Sequence, residues 1–155
     1  MKLAIVYSSK TGNTEEVVHL IRQLFFMKKV DVTLFRIEEF PIMELSNYEA
    51  VVIGTYTWGN GEIPHEMIEF YRAFETQDVK KVLTGVIGTG DSDYPKFCGA
   101  VDQFKDMLYI QTNLIVTLKI ELTLQMKDLE RCKRFVKIFL DHLSSKKGGQ
   151  SGTKK

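Results

Sequence analysis

A hydroxyl-rich segment follows the first apolar run of the chain, and its residue types suit the binding of a phosphate group. The segment consists of Ser8, Ser9, Lys10, Thr11, Gly12, Asn13 and Thr14. It leads into a helical pattern, and backbone N–H groups at a helix N-terminus can bind a phosphate together with hydroxyl donors. Neither G-x-x-x-x-G-K-[ST] nor G-x-G-x-x-G occurs here, so the segment favours one terminal phosphate monoester over a pyrophosphate. The alternative is an ordinary helix N-cap, where Thr and Asn are common.

A second unusual segment, residues 55–64, follows another apolar run and carries the single tryptophan of the chain. Trp58 stands between turn residues rather than in a periodic apolar segment. This position suits a side chain that covers a flat aromatic ligand by stacking. Gly59 gives the turn backbone freedom, since glycine reaches positive φ without penalty. The alternative is a tryptophan that packs locally over its own loop.

A third segment, residues 88–99, combines glycines, two carboxylates and an aromatic residue, and is too polar for a core. Its backbone N–H groups could read the edge of a heterocycle, and Tyr94 could provide a second stacking face. A long solvated loop is the alternative interpretation of this segment.

Two hydrophobic periodicities alternate along the chain and predict the elements that must position these segments. Short apolar or alternating runs predict strands at residues 2–7, 30–37, 50–54, 82–88 and 114–122, although Gly85 is unusual inside a strand. Apolar residues at helical spacing predict helices at residues 14–28, from Pro64 onward, at 99–108 and at 127–143.

Alternating strands and helices favour an α/β fold, a parallel sheet with right-handed crossovers and helices on both faces. In open sheets of this type, ligands bind outside the carboxyl ends of the strands, where the strand order reverses. The three polar segments follow the first, third and fourth predicted strands. We therefore expect them to lie together at this edge.

Taken together, the three segments resemble the flavin mononucleotide (FMN) site of the flavodoxins. Residues 9–14 are similar to the phosphate loop of that family, [ST]-x-[ST]-G-x-T, and residues 58–60 and 90–94 resemble its two loops that cover the isoalloxazine ring. The resemblance extends from Met1 to about Leu143, and the last strand has no long insertion, as in short-chain flavodoxins. It implies a flavodoxin-like, doubly wound, five-stranded parallel sheet in the order 2-1-3-4-5.

The resemblance also implies FMN as the cofactor and names its ligands. Hydroxyls and amides of the first segment would hold the phosphate without a counter-charge, and Trp58 and Tyr94 would sandwich the ring. The residues expected to bind the cofactor are Ser8, Ser9, Lys10, Thr11, Gly12, Asn13, Thr14, Tyr56, Thr57, Trp58, Gly59, Asn60, Thr89, Gly90, Asp91, Tyr94, Phe97 and Cys98. No metal ligand and no catalytic residue is expected.

The function implied by the resemblance is that of a small carrier shuttling single electrons. Its expected partners are an NAD(P)H-dependent flavodoxin or ferredoxin reductase and a terminal electron-accepting enzyme, and it is not expected to turn over a substrate alone. The turn at Gly59 would reorient to stabilise the flavin semiquinone. No lysine or arginine is obviously placed against the ring. The chain departs from the family in being less acidic than usual, and Asn60 stands where many relatives carry an acidic residue.

Length and composition indicate one soluble domain. The chain has 155 residues, and removing the four lysines after Leu143 from its 21 basic residues leaves 17 against 20 acidic ones. This balance argues against nucleic-acid binding, and no apolar run approaches the roughly 18 residues of a membrane span. We expect a monomeric FMN-binding domain over residues 1–143 and a disordered Gly/Ser/Lys tail over residues 144–155. Two cysteines without a C-x-x-C pattern favour a reducing, cytoplasmic compartment.

Three other functions remain open alternatives. One is an FMN-dependent oxidoreductase acting on a small molecule such as a quinone or a porphyrinogen, which usually needs extra loops or a dimer interface for a second pocket. Another is a flavoprotein activator of a metalloenzyme such as ribonucleotide reductase. The last is a phosphate-binding regulatory domain without flavin, which would leave Trp58 and Tyr94 unexplained.

Overall fold

Five parallel strands form one sheet in the computed structural model, which describes the backbone of residues 2–152 and the side chains of residues 2–146. The strand order is β2-β1-β3-β4-β5, as the resemblance implied. The strands are β1 Leu3–Tyr7, β2 Thr33–Arg36, β3 Ala50–Tyr56, β4 Leu83–Gly90 and β5 Asn113–Glu121. Every neighbouring pair is parallel, with Ile5 aligned to Leu34 on one side and to Val52 on the other.

Helices cover both faces of this sheet, which confirms the doubly wound α/β prediction. The α-helices of the described chain are α1 Asn13–Met27, α2 Ile68–Thr76, α3 Gly99–Gln111 and α4 Met126–Gly152. On one face, α1 and α4 meet through Phe25 and Phe139, whose ring centroids are 5.8 Å apart. On the other face, α2 and α3 pack together through Tyr71 and Phe104 at 5.3 Å.

Burial explains the two kinds of strand pattern in the sequence. The continuous apolar runs become β1 and β3, which lie inside the sheet and are buried on both faces. The more mixed runs become the edge strands β2 and β5, which are only partly buried. Gly85 fits inside β4 because a Cβ there would lie 2.9 Å from Cζ of Phe135, so the glycine makes room for that ring.

Some boundaries differ from the prediction. Helix α2 is preceded by a 3-10 turn at His65–Met67 rather than starting at Pro64, and two further 3-10 turns, Ile37–Glu39 and Ile42–Asn47, occupy the connection from β2 to β3. These short turns bury Ile37 and Leu45 against the sheet. They were not predicted because one or two turns show too little periodicity to be seen.

The last helix is longer than predicted. Its backbone is helical through residues 144–152, where the composition predicted a disordered tail, and residues 153–155 lie outside the described residues. No proline or glycine interrupts the helix before Gly148, and the Lys146 ammonium donates to the Lys81 carbonyl at 2.6 Å. The division of the chain near Leu143 stays a prediction. Within the described residues, no helix has both the length and the apolarity that crossing a bilayer requires.

Candidate functional site

Three loops meet at the carboxyl edge of the sheet. They follow β1 at Tyr7, β3 at Tyr56 and β4 at Gly90. From β1 the chain moves outward to β2 on one side and then returns to β3 on the other, so the strand order reverses between β1 and β3. This is the position at which open α/β sheets bind their ligands. We call the three connections loop 1 (residues 8–12), loop 2 (57–64) and loop 3 (91–98).

A cavity of about 580 Å³ opens between these loops. This volume lies in the range of small-molecule and cofactor sites. Most residues predicted from the sequence line it, namely Lys10, Thr11, Asn13, Tyr56, Thr57, Trp58, Gly59, Thr89, Gly90, Asp91, Tyr94 and Cys98. Two residues that the sequence analysis did not name, Lys96 and Leu122, complete the lining.

The remaining predicted residues stand outside this lining, and contacts within the protein account for several of them. Ser8 is buried, and its hydroxyl donates to a carboxylate oxygen of Glu66. Thr14 is also buried and shares a hydrogen bond of 2.8 Å with Thr89 between their hydroxyls. Phe97 borders a neighbouring groove instead, and the others outside the lining are Ser9, Gly12 and Asn60.

One end of the cavity is suited to an anion. Gly12, at φ +95°, turns the chain into α1, and Thr11 and Asn13 face the cavity on either side of it. The Ser9 hydroxyl accepts hydrogen bonds from the N–H groups of Gly12 and Glu15, both at 3.2 Å. The N-cap position is Gly12 rather than a Thr or Asn, so Ser9 bonds to the first turn from outside the helix, while Thr11 and Asn13 present uncharged polar groups to a ligand.

The other end is suited to a flat aromatic group. Two large aromatic side chains, Trp58 and Tyr94, lie at the mouth of the cavity and are 48% and 64% exposed. Exposed apolar surface that borders a groove is typical of a ligand or partner site. Gly59 and Gly90 line the same space, and a Cβ on Gly90 would lie 3.0 Å from the Cys98 sulfur.

Two lysines bring positive charge to this cavity. No lysine was expected against the ring, but Lys10 and Lys96 both line the cavity. The Lys10 ammonium lies 4.1 Å from the centroid of the Trp58 ring, within cation–π range. Loop 1 thus turns Lys10, one of the residues expected to bind the cofactor, across to loop 2, a contact that residue order does not reveal.

Loop 2 forms a tight turn that packs closely against the start of α3. Trp58 and Glu62 exchange two backbone hydrogen bonds, at 2.7 and 2.8 Å, which close loop 2 into a tight turn. Gly61, at φ +96°, then lies so close to α3 that a Cβ on Gly99 would be 2.7 Å from its Cα. The Thr57 hydroxyl accepts from the Ala100 N–H at 3.2 Å, and the Gln103 amide donates to the Gly61 carbonyl at 2.7 Å.

Cys98 lies at the floor of the cavity as an unreactive thiol. It is 1% exposed, and burial raises its pKa to about 12. A thiol of that pKa is protonated at neutral pH, and the thiolate is the nucleophilic form. Cys98 therefore acts as a small packing residue at the start of α3, in agreement with the interpretation from sequence.

The cavity has a polar end that suits one phosphate and an aromatic end that suits a flat ring, and it lies where the strand order reverses. These features define a mononucleotide-binding α/β protein. The flavodoxin family model matches residues 5–135. The chain therefore belongs to the flavodoxin family.

Individual relatives show how far this similarity extends. Probable flavodoxin 1 of Bacillus subtilis (strain 168) is 35% identical over 152 residues, covering 94% of this chain and 96% of that protein. A flavodoxin of Maridesulfovibrio salexigens is 40% identical over 110 residues, covering 69% of this chain and 75% of its own length. The crystal structure of oxidised flavodoxin 1 from Bacillus cereus superposes with a TM-score of 0.85 at 32% identity, covering 92% of this chain and 99% of that one.

Flavodoxins bind FMN, and FMN is therefore the cofactor of this chain. The cavity fits that group. The N-terminus of α1 with Thr11 and Asn13 offers hydrogen-bond donors for the phosphate, and the exposed faces of Trp58 and Tyr94 suit the ring. When bound, FMN supplies one-electron and two-electron redox chemistry, and the protein supplies binding, orientation and electrostatics. The chain is a small FMN-binding electron carrier by family.

Proposed function

We propose that this protein accepts electrons from an NAD(P)H-dependent flavodoxin or ferredoxin reductase and passes them singly to a terminal electron-accepting enzyme. The observation that carries this proposal is the open aromatic mouth of the cavity, where Trp58 and Tyr94 remain 48% and 64% exposed. A ring held between these side chains would have an edge close to solvent. A docked partner could then exchange electrons with it without a substrate entering the protein.

The residues that would hold FMN follow from the lining of the cavity. Thr11 and Asn13, with the N-terminus of α1, would bind the phosphate, and Lys10 would add a positive charge beside them. Trp58 and Tyr94 would stack on the ring, while backbone at Thr89, Gly90 and Asp91 would contact its polar edge. Ser9 and Thr14 would support the phosphate loop through their hydrogen bonds within the protein rather than through their hydroxyls toward FMN.

Partner docking would take place around the mouth of the cavity, where charges of both signs occur. Glu62 and Asp93 are exposed on loops 2 and 3, and Lys10 of loop 1 and Lys96 of loop 3 line the cavity. Charges of this kind steer association more than they set final affinity. We propose a monomer that works in the cytoplasm and meets its two partners in turn at this one surface.

Reconstitution of the flavin-free protein tests this assignment of the site. We expect FMN to bind with a stoichiometry of one. It should bind more tightly than riboflavin, because only FMN has a phosphate for the anion-binding end of the cavity. The double variant T11A/N13A should weaken FMN and leave riboflavin almost unchanged. An equal loss for both flavins would show that the phosphate binds elsewhere.

A further inference from the structure

One carboxylate connects the start of loop 1 with the end of β3. Oε2 of Glu66 accepts a hydrogen bond from the Ser8 hydroxyl at 2.5 Å and another from the Tyr56 hydroxyl at 2.7 Å. Ser8 is the first residue after β1 and begins loop 1, whereas Tyr56 ends β3 and lines the cavity. Glu66 itself belongs to the 3-10 turn His65–Met67. It therefore joins the start of the phosphate loop to the wall of the ring site.

The protonation states of these groups keep the bridge intact at neutral pH. Burial raises the pKa of the Glu66 carboxyl, but hydrogen bonds from Ser8 and Tyr56 outweigh burial and hold that pKa below its ordinary value. Burial and the bond to Glu66 raise the pKa of Tyr56 to about 12. Glu66 is thus an ionised acceptor and Tyr56 a protonated donor, which is the stronger, charge-assisted form of hydrogen bond.

Other contacts connect the elements around the cavity. Thr14 at the start of α1 is bonded to Thr89 at the end of β4. Loop 2 is bonded to α3 through Thr57 and through Gly61. Among the described side chains, Glu66 is the one that hydrogen-bonds to both Ser8 and Tyr56, and it adds a side-chain contact to the backbone bond from the Ser8 N–H to the Gly54 carbonyl at 3.0 Å.

We propose that Glu66 is a positioning residue of the FMN site, which holds the phosphate loop and the ring wall at the separation that one FMN molecule requires. This inference rests on the proposed function. A ligand that contacts both ends of the cavity benefits from a fixed separation, because less ordering is left to the moment of binding. FMN contacts both ends, whereas riboflavin lacks the phosphate and contacts the ring end alone. Loss of Glu66 should therefore weaken FMN more than riboflavin.

The test compares two flavins and three variants of the flavin-free protein. Binding of FMN and of riboflavin is followed by quenching of flavin fluorescence in the wild type, E66A, E66Q and the control E69A. Glu69 is an exposed carboxylate three residues along the chain that has no hydrogen-bond partner among the described side chains. We expect E66A to weaken FMN about three- to tenfold and riboflavin less, as the loss of one or two hydrogen bonds predicts. E69A should match the wild type.

E66Q keeps the size of the side chain and one acceptor oxygen, so it should restore part of the affinity for FMN and does not depend on E66A folding well. In a double-variant cycle, Y56F should cost less in the E66A background than alone, because the two residues act through one contact. Equal losses for both flavins, unchanged or tighter FMN binding in E66A, or additive losses with Y56F would overturn the proposal. A wild type that binds no FMN would instead contradict the proposed function.

Discussion

The Lys10 ammonium lies over the face of Trp58, 4.1 Å from the ring centroid, and so brings a positive charge from the phosphate loop to the aromatic end of the cavity. Such a contact at an exposed site contributes roughly 0.5–1 kcal/mol. That is weak enough for a ligand to displace the lysine from the ring. Lys10 can therefore bind an anion at the phosphate end of the cavity once a ring occupies the aromatic end.

This relationship predicts how K10Q changes flavin selectivity. FMN carries a phosphate and riboflavin does not, so removal of the lysine charge should weaken FMN by up to about fivefold, since a charge pair 4 Å apart in water is worth about 1 kcal/mol. Riboflavin should bind as before. Titrations at low and high salt provide the measurement, and the difference between K10Q and wild type should shrink as salt screens the charge.

K137Q is the matched control for K10Q, because Lys137 lies on α4 and pairs with Asp141 at 3.1 Å. It should leave both flavins unaffected. If K137Q and K10Q had the same effect, the cause would be net charge and not the position of Lys10.

The fluorescence of Trp58 reports directly on the ring end of the cavity. Trp58 is the single tryptophan of the chain, so the emission belongs to one known position. We expect strong quenching when FMN binds and recovery when the flavin is removed, because stacked aromatic rings lie within a few ångströms of each other. W58A should also bind FMN more weakly than Y109A, which removes an exposed tyrosine from the far end of α3. Emission that ignores FMN would place Trp58 away from the ring.

Two glycine variants separate the fit of the site from the stability of the fold. In G99A, the new Cβ would lie 2.7 Å from Gly61 Cα, so loop 2 and the start of α3 must move apart. In G85A, the new Cβ would instead meet the Phe135 ring at 2.9 Å within the core. Overpacking of this kind costs about 1–3 kcal/mol of unfolding free energy. We expect both variants to lower stability in denaturant titrations, but only G99A to weaken FMN binding by the folded protein.

The buried thiols predict a loss of stability in alkali. Burial raises the pKa of Cys98 to about 12 and that of Cys132 to about 11, from an ordinary value of 9.0. Between pH 9 and 11 the unfolded chain releases these protons while the native protein keeps them. The unfolding free energy should therefore be intact below pH 9 and fall as pH rises through this window. The unfolding free energy of the double variant C98A/C132A should fall less over the same pH range. An identical fall in wild type and variant would contradict raised thiol pKa values as the cause.

Much of the fold could be predicted because its signals are local. The apolar runs that became β1, β3 and β4 are buried on both faces, and burial of this kind leaves a continuous hydrophobic pattern in the sequence. The 3-10 turn Ile42–Asn47 leaves no such pattern, because it completes too few turns. The end of α4 was predicted too early because the apolar periodicity stops at Leu143, whereas the backbone continues as a helix to Gly152.

The site was predictable to the level of its loops, but several residue positions were not. Topology brings the loops after β1, β3 and β4 together whatever their sequence, so their composition indicated a ligand site. The inward turn of Thr14 depends on its contact with Thr89, which lies 75 residues away. The position of the Glu66 carboxylate similarly depends on its hydrogen bond with Ser8, which lies 58 residues away. Leu122 reaches the cavity because its N–H donates to the Gly90 carbonyl at 2.7 Å. Contacts of this range leave no signal in the order of the residues.

The central claim, that this flavodoxin carries electrons between proteins and does not turn over a substrate alone, is tested most directly by NADPH oxidation under anaerobic conditions. The FMN-loaded protein is mixed with NADPH and a one-electron acceptor, first alone and then with a flavodoxin reductase. We predict negligible oxidation by the protein alone and sustained acceptor reduction once the reductase is present, at a rate that rises with the concentration of this protein. Rapid oxidation of NADPH by the protein without a reductase would contradict the claim and favour an enzyme.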